Sequence, residues 1–505
     1  MTCAARSVAL PQAIEQSALK HLLRADGQED LCFALWHPSA GTSRQTALVQ
    51  QLILPLAGER NVHGNASFEA PYFERALRVA AKEGAGLALM HSHPLGRNWQ
   101  GMSSDDIKTE QSRAGATLGA TRLPFVGLTI AGDSNWSGRF WERTAPRQHA
   151  RNDCATVRVV GERLKVTYMD KLAPPPRSNE AQMRTVSAWG ERKQADLARL
   201  RIGVVGCGSV GGFIAEALAR TGVEDVVFID YDQIETKNLD RLVFSTRDDV
   251  GELKAPILAE HLRRGATAAN FNAVPVVAAV YEEEGFRAAL DCDVLFSCVD
   301  RPWGRHVLNL IAYAHLIPVV DGGILVRTNR KSELTAASWR AHTVTVGHRC
   351  LECIGQYDSG IVQVERDGYL DDPTYIEGLA KDHALRAREN VFAFSMGCAS
   401  LQTLQMLAMV IEPLGRSNPG EQLYHFVGGL MEPMQPQTCQ PEFLCKCCRF
   451  SRSVVDDPIP RFSSIGAGTS AVAPSRRSRR QHRSPELHRR PRTRICQPTI
   501  SLKRR

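Results

Sequence analysis

The sequence lacks the apolar segments by which chains usually enter or cross a membrane. None of its 505 residues falls in an uninterrupted apolar run of about 18, the length that a transmembrane helix needs. Residues 1–10 contain no apolar core long enough for a secretory signal. We therefore expect a cytoplasmic protein with no membrane partner. In that compartment we expect the fourteen cysteines to be free, catalytic or metal-bound rather than paired in disulfides.

A uniform excess of charge is also missing, although the formal net charge is +8. Residues 475–505 hold eleven Arg and one Lys against one Glu, which gives this segment a charge of +11 and leaves −3 for the rest. The Ser-, Arg- and Pro-rich residues 451–505 lack apolar periodicity, so we predict a disordered tail. A basic tail can contact phosphates, but the faintly acidic body makes nucleic acid an unexpected partner.

Proline is concentrated at one place that divides the chain. Three consecutive prolines, 174–176, form an extended spacer, so we predict a linker over 171–180. The region before it, 1–170, mixes short strand-like runs with a helical stretch. The region after it, 181–450, alternates buried apolar runs with helical patterns, which is typical of a Rossmann-like, doubly wound α/β domain.

Two histidines one residue apart end a strand-like apolar segment. His91 and His93 project from the same face of an extended chain, which suits two imidazoles on one Zn²⁺. An acidic pair, Asp105 and Asp106, follows in a helix-like stretch. A carboxylate there would complete a two-His-one-Asp site with one position left for water, the arrangement of a catalytic zinc.

Two further polar residues offer the remaining chemistry of a hydrolytic zinc site. Glu29 precedes the apolar run 31–36 and can act as general base, taking a proton from a metal-bound water and returning it to the leaving amine. Ser103 can stabilise the oxyanion of a tetrahedral intermediate. Asp30, Glu59 and Glu69 also lie upstream, so they remain alternatives to Glu29.

The pattern His91-x-His93-Pro94, followed by Ser103-x-x-Asp106, resembles the JAMM (JAB/MPN) metallo-isopeptidases, which cleave ubiquitin-like proteins from conjugates or precursors. The resemblance implies that Glu29 is the catalytic acid/base and that Ser103 stabilises the oxyanion. It also implies three zinc ligands, His91, His93 and Asp106. The stretch before Ser103 is two residues longer than the usual pattern, so Asp105 remains an alternative ligand. A JAMM scaffold without activity is the other interpretation.

A glycine-rich turn opens the second region. Gly206, Gly208 and Gly211 form G-x-G-x-x-G between a predicted strand and helix, where backbone N–H groups can approach a phosphate. Asp230 ends the next predicted strand, at the position that holds a ribose hydroxyl. An NAD-dependent oxidoreductase would show the same two features, so it is a competing interpretation.

Residues further along favour ATP over NAD. Arg241 and Lys254 can neutralise a triphosphate, and Asp300, at a predicted strand end, can hold Mg²⁺. The ordered set resembles the adenylation domain of ubiquitin-activating enzymes and of their bacterial ThiF/MoeB relatives. The positions that match are Gly206, Gly208, Asp230, Asp232, Asn238, Arg241, Lys254 and Asp300. Arg184 resembles the arginine that such enzymes lend across a homodimer to the partner's ATP.

This resemblance implies a reaction, two cofactors and a partner. The C-terminal carboxylate of a ubiquitin-like or sulfur-carrier protein would attack the α-phosphorus of ATP, with Mg²⁺ present, to release pyrophosphate and leave an acyl-adenylate. Catalysis would rest on positioning and charge neutralisation. The enzyme would be a homodimer, with a ubiquitin-conjugating-enzyme homologue as a further candidate partner.

The cysteines supply a predicted structural zinc but no evident thioester nucleophile. Cys350, Cys353, Cys445 and Cys448 form two C-x-x-C pairs, enough for a tetrahedral site, with Cys447 and the weaker Cys439 as alternatives. No cysteine lies between residues 354 and 390, where the resemblance would place a thioester-forming one. Cys398 falls in an apolar helical stretch, where a packed core thiol is expected rather than a nucleophile.

We therefore expect a bifunctional enzyme of a bacterial ubiquitin-like system, a zinc metallo-isopeptidase fused to an adenylyltransferase. Such a pairing resembles the bacterial ubiquitin-like conjugation operons, some of which serve phage defence, so the resemblance implies that role as one expectation. The first alternative is a sulfur-carrier adenylyltransferase of thiamin or molybdopterin biosynthesis. The alternatives of another class are an NAD-dependent oxidoreductase and a non-catalytic scaffold that binds a ubiquitin-like protein.

Overall fold

Two large β-sheets with helices packed on them make up the computed structural model, which describes residues 4–371, 377–378, 389–415 and 420–433. The strands are β1 (Ala5–Pro11), β2 (Leu31–Ala40), β3 (Arg44–Ile53), β4 (Arg60–His63), β5 (Asn65–Phe68), β6 (Gly86–His93), β7 (Phe125–Ala131), β8 (Trp136–Ala145), β9 (Gln148–Asp153), β10 (Thr156–Val160), β11 (Leu164–Tyr168), β12 (Arg201–Val205), β13 (Asp225–Ile229), β14 (Asn272–Val276), β15 (Val294–Ser297), β16 (Val319–Thr328), β17 (Leu334–Val344), β18 (Gln422–His425) and β19 (Leu430–Pro433). The helices are α1 (Gln12–Leu22), α2 (Ala70–Glu83), α3 (Ser104–Thr121), α4 (Met183–Trp189), α5 (Glu191–Ala198), α6 (Ser209–Thr221), α7 (Lys254–Gly265), α8 (Glu283–Leu290), α9 (Pro302–Ala314), α10 (Ser359–Arg366) and α11 (Phe392–Ile411).

The first sheet has nine strands in the order β11-β10-β1-β3-β2-β6-β7-β8-β9. At its centre, β6 pairs antiparallel with β2, so that Leu31 lies opposite His91. On its other side β6 pairs parallel with β7, where His91 lies beside Thr129. This register places residues just before β2 next to the end of β6. The end of β6, which contains His91, and the start of α3, which contains Asp106, lie together at this end of the sheet.

The second sheet has eight strands in the order β14-β13-β12-β15-β16-β17-β18-β19. The five strands from β14 to β16 are parallel, which confirms the Rossmann-like α/β arrangement expected for this region. The antiparallel strands β17 to β19 extend the sheet, an addition that the sequence pattern did not indicate. Because β12, β13 and β15 are parallel neighbours, their carboxyl ends meet at one edge, the usual ligand edge of such a sheet.

Helix α11 bears on the expectation that no segment crosses a membrane. Among the described residues it is the one helix long and apolar enough to do so, with a mean hydropathy of 1.4, and 61% of the relevant window is buried inside the structure. Its side chains pack on β16 and β17, as those of a core helix do. A core helix meets the same length and composition criteria, so this helix is weak evidence for a membrane span.

The two sheets are joined by a buried ionic contact. Arg44, at the start of β3, pairs with Asp293 just before β15, with 2.5 Å between Nη1 and Oδ1. Arg158 on β10 lies 3.5 Å from the same carboxylate, and the backbone N–H of Arg201 donates to it at 3.0 Å. Beside it, Asp291 accepts the backbone N–H groups of Ser43 and Arg44. These contacts fix the β2–β3 turn against the second sheet.

An apolar core shared by the two regions reinforces this contact. Leu48, Val160 and Leu164 of the first region belong to the same buried cluster as Leu197 and Met409 of the second. Burial of apolar side chains on both sides of the junction stabilises the two regions in one arrangement. The predicted linker residues thus connect regions that also contact each other directly.

The junction generates a stability prediction. Replacing Asp293 by Ala leaves two buried guanidinium groups without their carboxylate, so we expect the free energy of unfolding to fall by about 3–5 kcal/mol. Glu260→Ala is the matched control, because Glu260 forms an exposed ion pair with Arg264 and its loss should change stability by less than about 0.5 kcal/mol. Denaturant unfolding measures both. Equal stability of the two variants would contradict this account of the junction.

Candidate functional sites

Three predicted zinc ligands lie together at the end of β6. One potential ligand atom from each of His91, His93 and Asp106 falls within 4.8 Å of the other two. The Nε2 atom of His91 is 3.9 Å from one Asp106 oxygen, and that of His93 is 3.7 Å from the other. Within the described residues this is the one group of three or more such side chains with this spacing. Two imidazoles and a carboxylate are a donor set that fits Zn²⁺.

The start of helix α3 fixes the carboxylate of this group. Ser103 is the N-cap residue, and its Oγ accepts the backbone N–H of Asp106 at 3.1 Å. The Asp106 side chain accepts the backbone N–H of Ser103 at 2.9 Å, which completes a capping box. Asp105 is exposed and lies 3.4 Å from Lys108, away from the histidines. The structure therefore favours Asp106 over Asp105, and it uses the Ser103 oxygen to cap the helix.

Glu29 is the upstream acid that faces this group. It is half-buried, burial raises its pKa, and the charges of His93 and Asp106 act on it. The other upstream acids have different partners. Asp30 is buried with Arg60 at 2.8 Å, Glu59 pairs with Arg75, and Glu69 accepts from Asn61.

The two histidines sit in different electrostatic surroundings. Burial lowers the pKa of His91 to about 4, and the Arg139 charge adds to this effect, so His91 is neutral near pH 7. A hydrogen bond to Asp106 raises the pKa of His93. Burial would raise the pKa of Asp106, but its hydrogen bond to His93 and the nearby His91 hold that pKa well below its usual range. The group thus contains a neutral imidazole and a carboxylate, both able to donate lone pairs to a cation.

The glycine turn of the second region lies at the carboxyl end of β12. Gly206 has φ +94°, and a Cβ on it would lie 2.5 Å from the Cys298 carbonyl oxygen, so this position requires glycine. Gly208 is the N-cap of α6 and has open space where a side chain would be. A Cβ on Gly211 would overlap the Gly206 carbonyl, so its absence allows α6 to pack on the turn.

Charged side chains gather beside this turn. Buried Asp230 accepts the backbone N–H of Cys207 at 2.6 Å and that of Asp232 at 2.7 Å. Lys254 Nζ lies 3.0 Å from Asp232, and the charges of Asp230 and Asp300 also act on it. Burial raises the pKa of Asp230. Asp300 is exposed and follows β15, so the predicted acidic and lysine residues share one sheet edge.

Two other predicted residues have local partners, and a third is exposed. Arg241 donates to Asp240 and to the Lys237 carbonyl, both at 2.7 Å. Asn238 accepts the Glu235 N–H at 3.0 Å within its own turn. Arg184 is exposed on α4, a helix with no buried side chain.

A residue near the glycine turn and a buried pair near His91 have no signal in the sequence. Asn390, just before α11, donates to Ser209 Oγ at 3.1 Å, at the first turn of α6. Arg139 and Glu110 form a buried ion pair behind His91. Neither has a local motif, because Asn390 is separated from Ser209 by 181 positions and Arg139 from Glu110 by 29.

Half of the predicted cysteine zinc site lies within the described residues. The backbone N–H of Cys353 lies 3.4 Å from Cys350 Sγ, the contact that a C-x-x-C turn makes with a ligand sulfur. Cys445 and Cys448, like the alternatives Cys439 and Cys447, lie outside the described residues. The fourfold site therefore stays a prediction.

Cys398 occupies the core, as expected. It is buried in α11, with its sulfur near the carbonyl oxygens of Gly323 and Arg340. Burial raises its pKa to about 12, so the thiol remains protonated near pH 7. These surroundings do not suit a thioester nucleophile.

A family comparison agrees with the geometry of the second region. The ThiF family model matches residues 180–442. The chain belongs to the ThiF family. This match does not extend to residues 1–179, where the JAMM resemblance stays a prediction.

Curated relatives match parts of the chain. The tRNA threonylcarbamoyladenosine dehydratase of Escherichia coli K12 is 41% identical over 80 residues, 16% of this chain and 30% of that protein. The mouse adenylyltransferase and sulfurtransferase MOCS3 is 36% identical, with 24% and 26% covered, and the SAMP-activating enzyme E1 of Haloferax volcanii is 33% identical, with 27% and 49% covered. The matches to these three thus span between a quarter and a half of each relative's length.

Solved structures show similarity over about a third to a half of the chain. The crystal structure of E. coli MccB with ATP is 17% identical with a TM-score of 0.40, and covers 54% of this chain and 75% of that one. E. coli TcdA in complex with ATP is 26% identical with a TM-score of 0.27, covering 32% and 67%.

The choice between the two adjacent acids generates a binding prediction. We expect Asp106→Asn to weaken Zn²⁺ binding at the histidine site at least tenfold, because an amide is a poor ligand for this ion while it can still cap the helix. Asp105→Asn, the matched control, should bind as the unchanged protein does. Chelator competition measures both affinities. A loss in Asp105→Asn with none in Asp106→Asn would reverse the assignment.

Proposed function

We propose that the chain combines two activities on a ubiquitin-like or sulfur-carrier protein. The second region adenylates the carrier's C-terminal carboxylate with ATP, and the first cleaves at that C-terminus as a zinc metallopeptidase. The observation that supports adenylation most directly is the meeting of Lys254, Asp232 and Asp300 beside the glycine turn of a ThiF-family domain.

In the adenylation step, the carrier carboxylate oxygen bonds to the α-phosphorus of ATP while the bond to the bridging oxygen of pyrophosphate breaks. Lys254 neutralises phosphate charge, since the charges of Asp230 and Asp232 keep it protonated and the contact with Asp232 orients it. Asp230 is the ribose acceptor. Asp300 would hold Mg²⁺, which supplies further charge neutralisation on the phosphates. Arg241 would have to leave its local partners to contribute.

The curated relatives bear on the carrier. One relative is named an adenylyltransferase and sulfurtransferase, and another is named a SAMP-activating enzyme E1. We infer from these names that this chain takes a carrier of the same chemical class, with a C-terminal carboxylate as the reacting group. One candidate role is protein tagging, with a conjugating-enzyme homologue as partner and phage defence as its setting. Because a sulfurtransferase is named among the relatives, sulfur-carrier activation in cofactor biosynthesis is the second candidate role.

Two structural features bear on the fate of the acyl-adenylate and on the assembly that forms it. Cys398 is buried and protonated, so we propose that the chain hands on the acyl-adenylate without forming a thioester on this residue. Arg184 lies on an exposed helix, and we propose that it completes the ATP site of a second copy in a homodimer.

For the peptidase, the support is the donor set of His91, His93 and Asp106 with Glu29 beside it. A zinc ion held there would supply a water of pKa near 7. Burial raises the pKa of Glu29, which suits a carboxylate that accepts a proton and then returns it to the leaving amine. Ser103 still has its hydroxyl hydrogen to donate to an oxyanion, because its oxygen acts only as an acceptor in the helix cap.

The adenylation proposal predicts carrier-dependent exchange between ATP and labelled pyrophosphate. Asp300→Ala should lower the exchange rate at least a hundredfold, because the phosphates lose a metal-holding carboxylate. Asp248→Ala, which removes an exposed acid on a neighbouring loop, should leave the rate unchanged. A panel of purified ubiquitin-like and sulfur-carrier proteins serves as substrate. Absence of exchange with every member, together with NADH binding, would exclude the proposal.

The peptidase proposal predicts cleavage of a carrier fused at its C-terminus to a reporter peptide. Glu29→Gln should slow cleavage by about 10²–10⁴-fold, as loss of a general base does. Glu69→Gln is the control, because Glu69 is exposed and accepts a hydrogen bond that an amide oxygen can also accept. Product formation is followed by mass spectrometry. Undiminished cleavage after chelator treatment would rule out the zinc mechanism.

A further inference from the structure

A chain of buried polar side chains lies directly behind His91. Thr129 Oγ1 is 3.3 Å from His91 Nε2, and Arg139 Nη1 donates to that hydroxyl at 2.6 Å. Arg139 in turn donates through Nε to Glu110 at 2.9 Å and through Nη2 to the other carboxylate oxygen. Trp141 Nε1 donates to Glu110 at 2.7 Å. Thr129 and Glu110 are fully buried, and Arg139 is 2% exposed.

The fold explains how these residues meet. Thr129 lies beside His91 on the parallel neighbour β7, and Arg139 lies on β8 opposite Gly127. A Cβ on Gly127 would collide with both Arg139 and Glu110, so the glycine provides the space that the ion pair occupies. Glu110 stands one helical turn after Asp106 on α3, so both carboxylates face the sheet from one side of the helix.

The ion pair has an electrostatic consequence for a cation at His91. A buried guanidinium two hydrogen bonds away repels a divalent ion, because the low local dielectric weakens screening. Glu110 cancels that charge through a two-point contact.

We propose that Glu110 and Arg139 are positioning residues of the metal site, with Glu110 setting its affinity for divalent cations by neutralising Arg139. The inference rests on the proposed metallopeptidase site but concerns residues that the JAMM pattern does not include. The proposal predicts the direction in which metal affinity changes in each variant. Loss of the Glu110 charge alone weakens metal binding, while loss of both charges restores it.

The test titrates Co²⁺ into the full-length protein, then displaces it with Zn²⁺, and scores only the Co²⁺ spectral signal that His91→Ala abolishes, which separates this site from cysteine-bound metal. Glu110→Gln should weaken binding at least tenfold. Arg139→Met should bind at least as tightly as the unchanged protein. The double variant should return to within about threefold of it, because neither charge remains.

The control is Trp141→Phe, which removes a neutral hydrogen bond to Glu110 and should leave affinity unchanged. If Glu110→Gln does not fold, the comparison of Arg139→Met with the double variant still isolates the Glu110 charge, since the double variant buries no ion. Tighter binding by Arg139→Met than by the double variant supports the proposal.

Other outcomes overturn it in distinguishable ways. Equal weakening in Glu110→Gln, Arg139→Met and the double variant would show that the pair acts through packing alone. Unchanged affinity in all three would show that it does not act on the site. Absence of any His91-dependent metal signal in the unchanged protein would instead overturn the metal site itself.

Discussion

The carboxylate of Asp293 is the contact on which the arrangement of the whole chain depends. It receives Arg44 and Arg158 from the first sheet and the backbone N–H of Arg201 from the second, and it directly precedes β15. The strands β12 and β15 therefore begin at the junction and end at the glycine turn and at Asp300. The sheet edge with the glycine turn and Asp300 thus lies at the carboxyl end of strands whose first residues are fixed by buried ion pairs.

The proximity of His91, His93 and Asp106 follows largely from local spacing, so the sequence could predict that these side chains lie together. Two histidines at i and i+2 share a strand face, and the Ser-x-x-Asp pattern is a helix start whose capping box orients Asp106. The structure favours Asp106 over Asp105, and Glu29 over the three other upstream acids. It does so through exposure and ion pairing, which depend on tertiary structure and cannot be read from local spacing. Thr129 and Arg139 had no signal, since they reach His91 through strand pairing alone.

The second region was predictable where the signal is a turn or a strand end, as for Gly206 and Asp230. The contacts of residues in loops were less predictable. Arg241 and Asn238 satisfy their own turns, and nothing in their spacing indicates those partners. The antiparallel strands beyond β16 and the ionic junction also escaped prediction, because both depend on pairing between residues far apart in the chain.

Hydrogen bonding at the glycine turn decides which groups remain for a phosphate. The N–H of Cys207 is committed to Asp230, so it is not available to a phosphate, and it holds the Asp230 carboxylate against the turn. Among the described residues no side chain caps α6, and Gly208 has open space in front of it. The first N–H groups of α6 therefore have no side-chain cap, and they carry the positive end of the helix dipole. With Lys254 they are the groups that the proposed ATP site offers to a phosphate, in a turn shaped by glycine and beside one lysine whose charge is balanced by carboxylates.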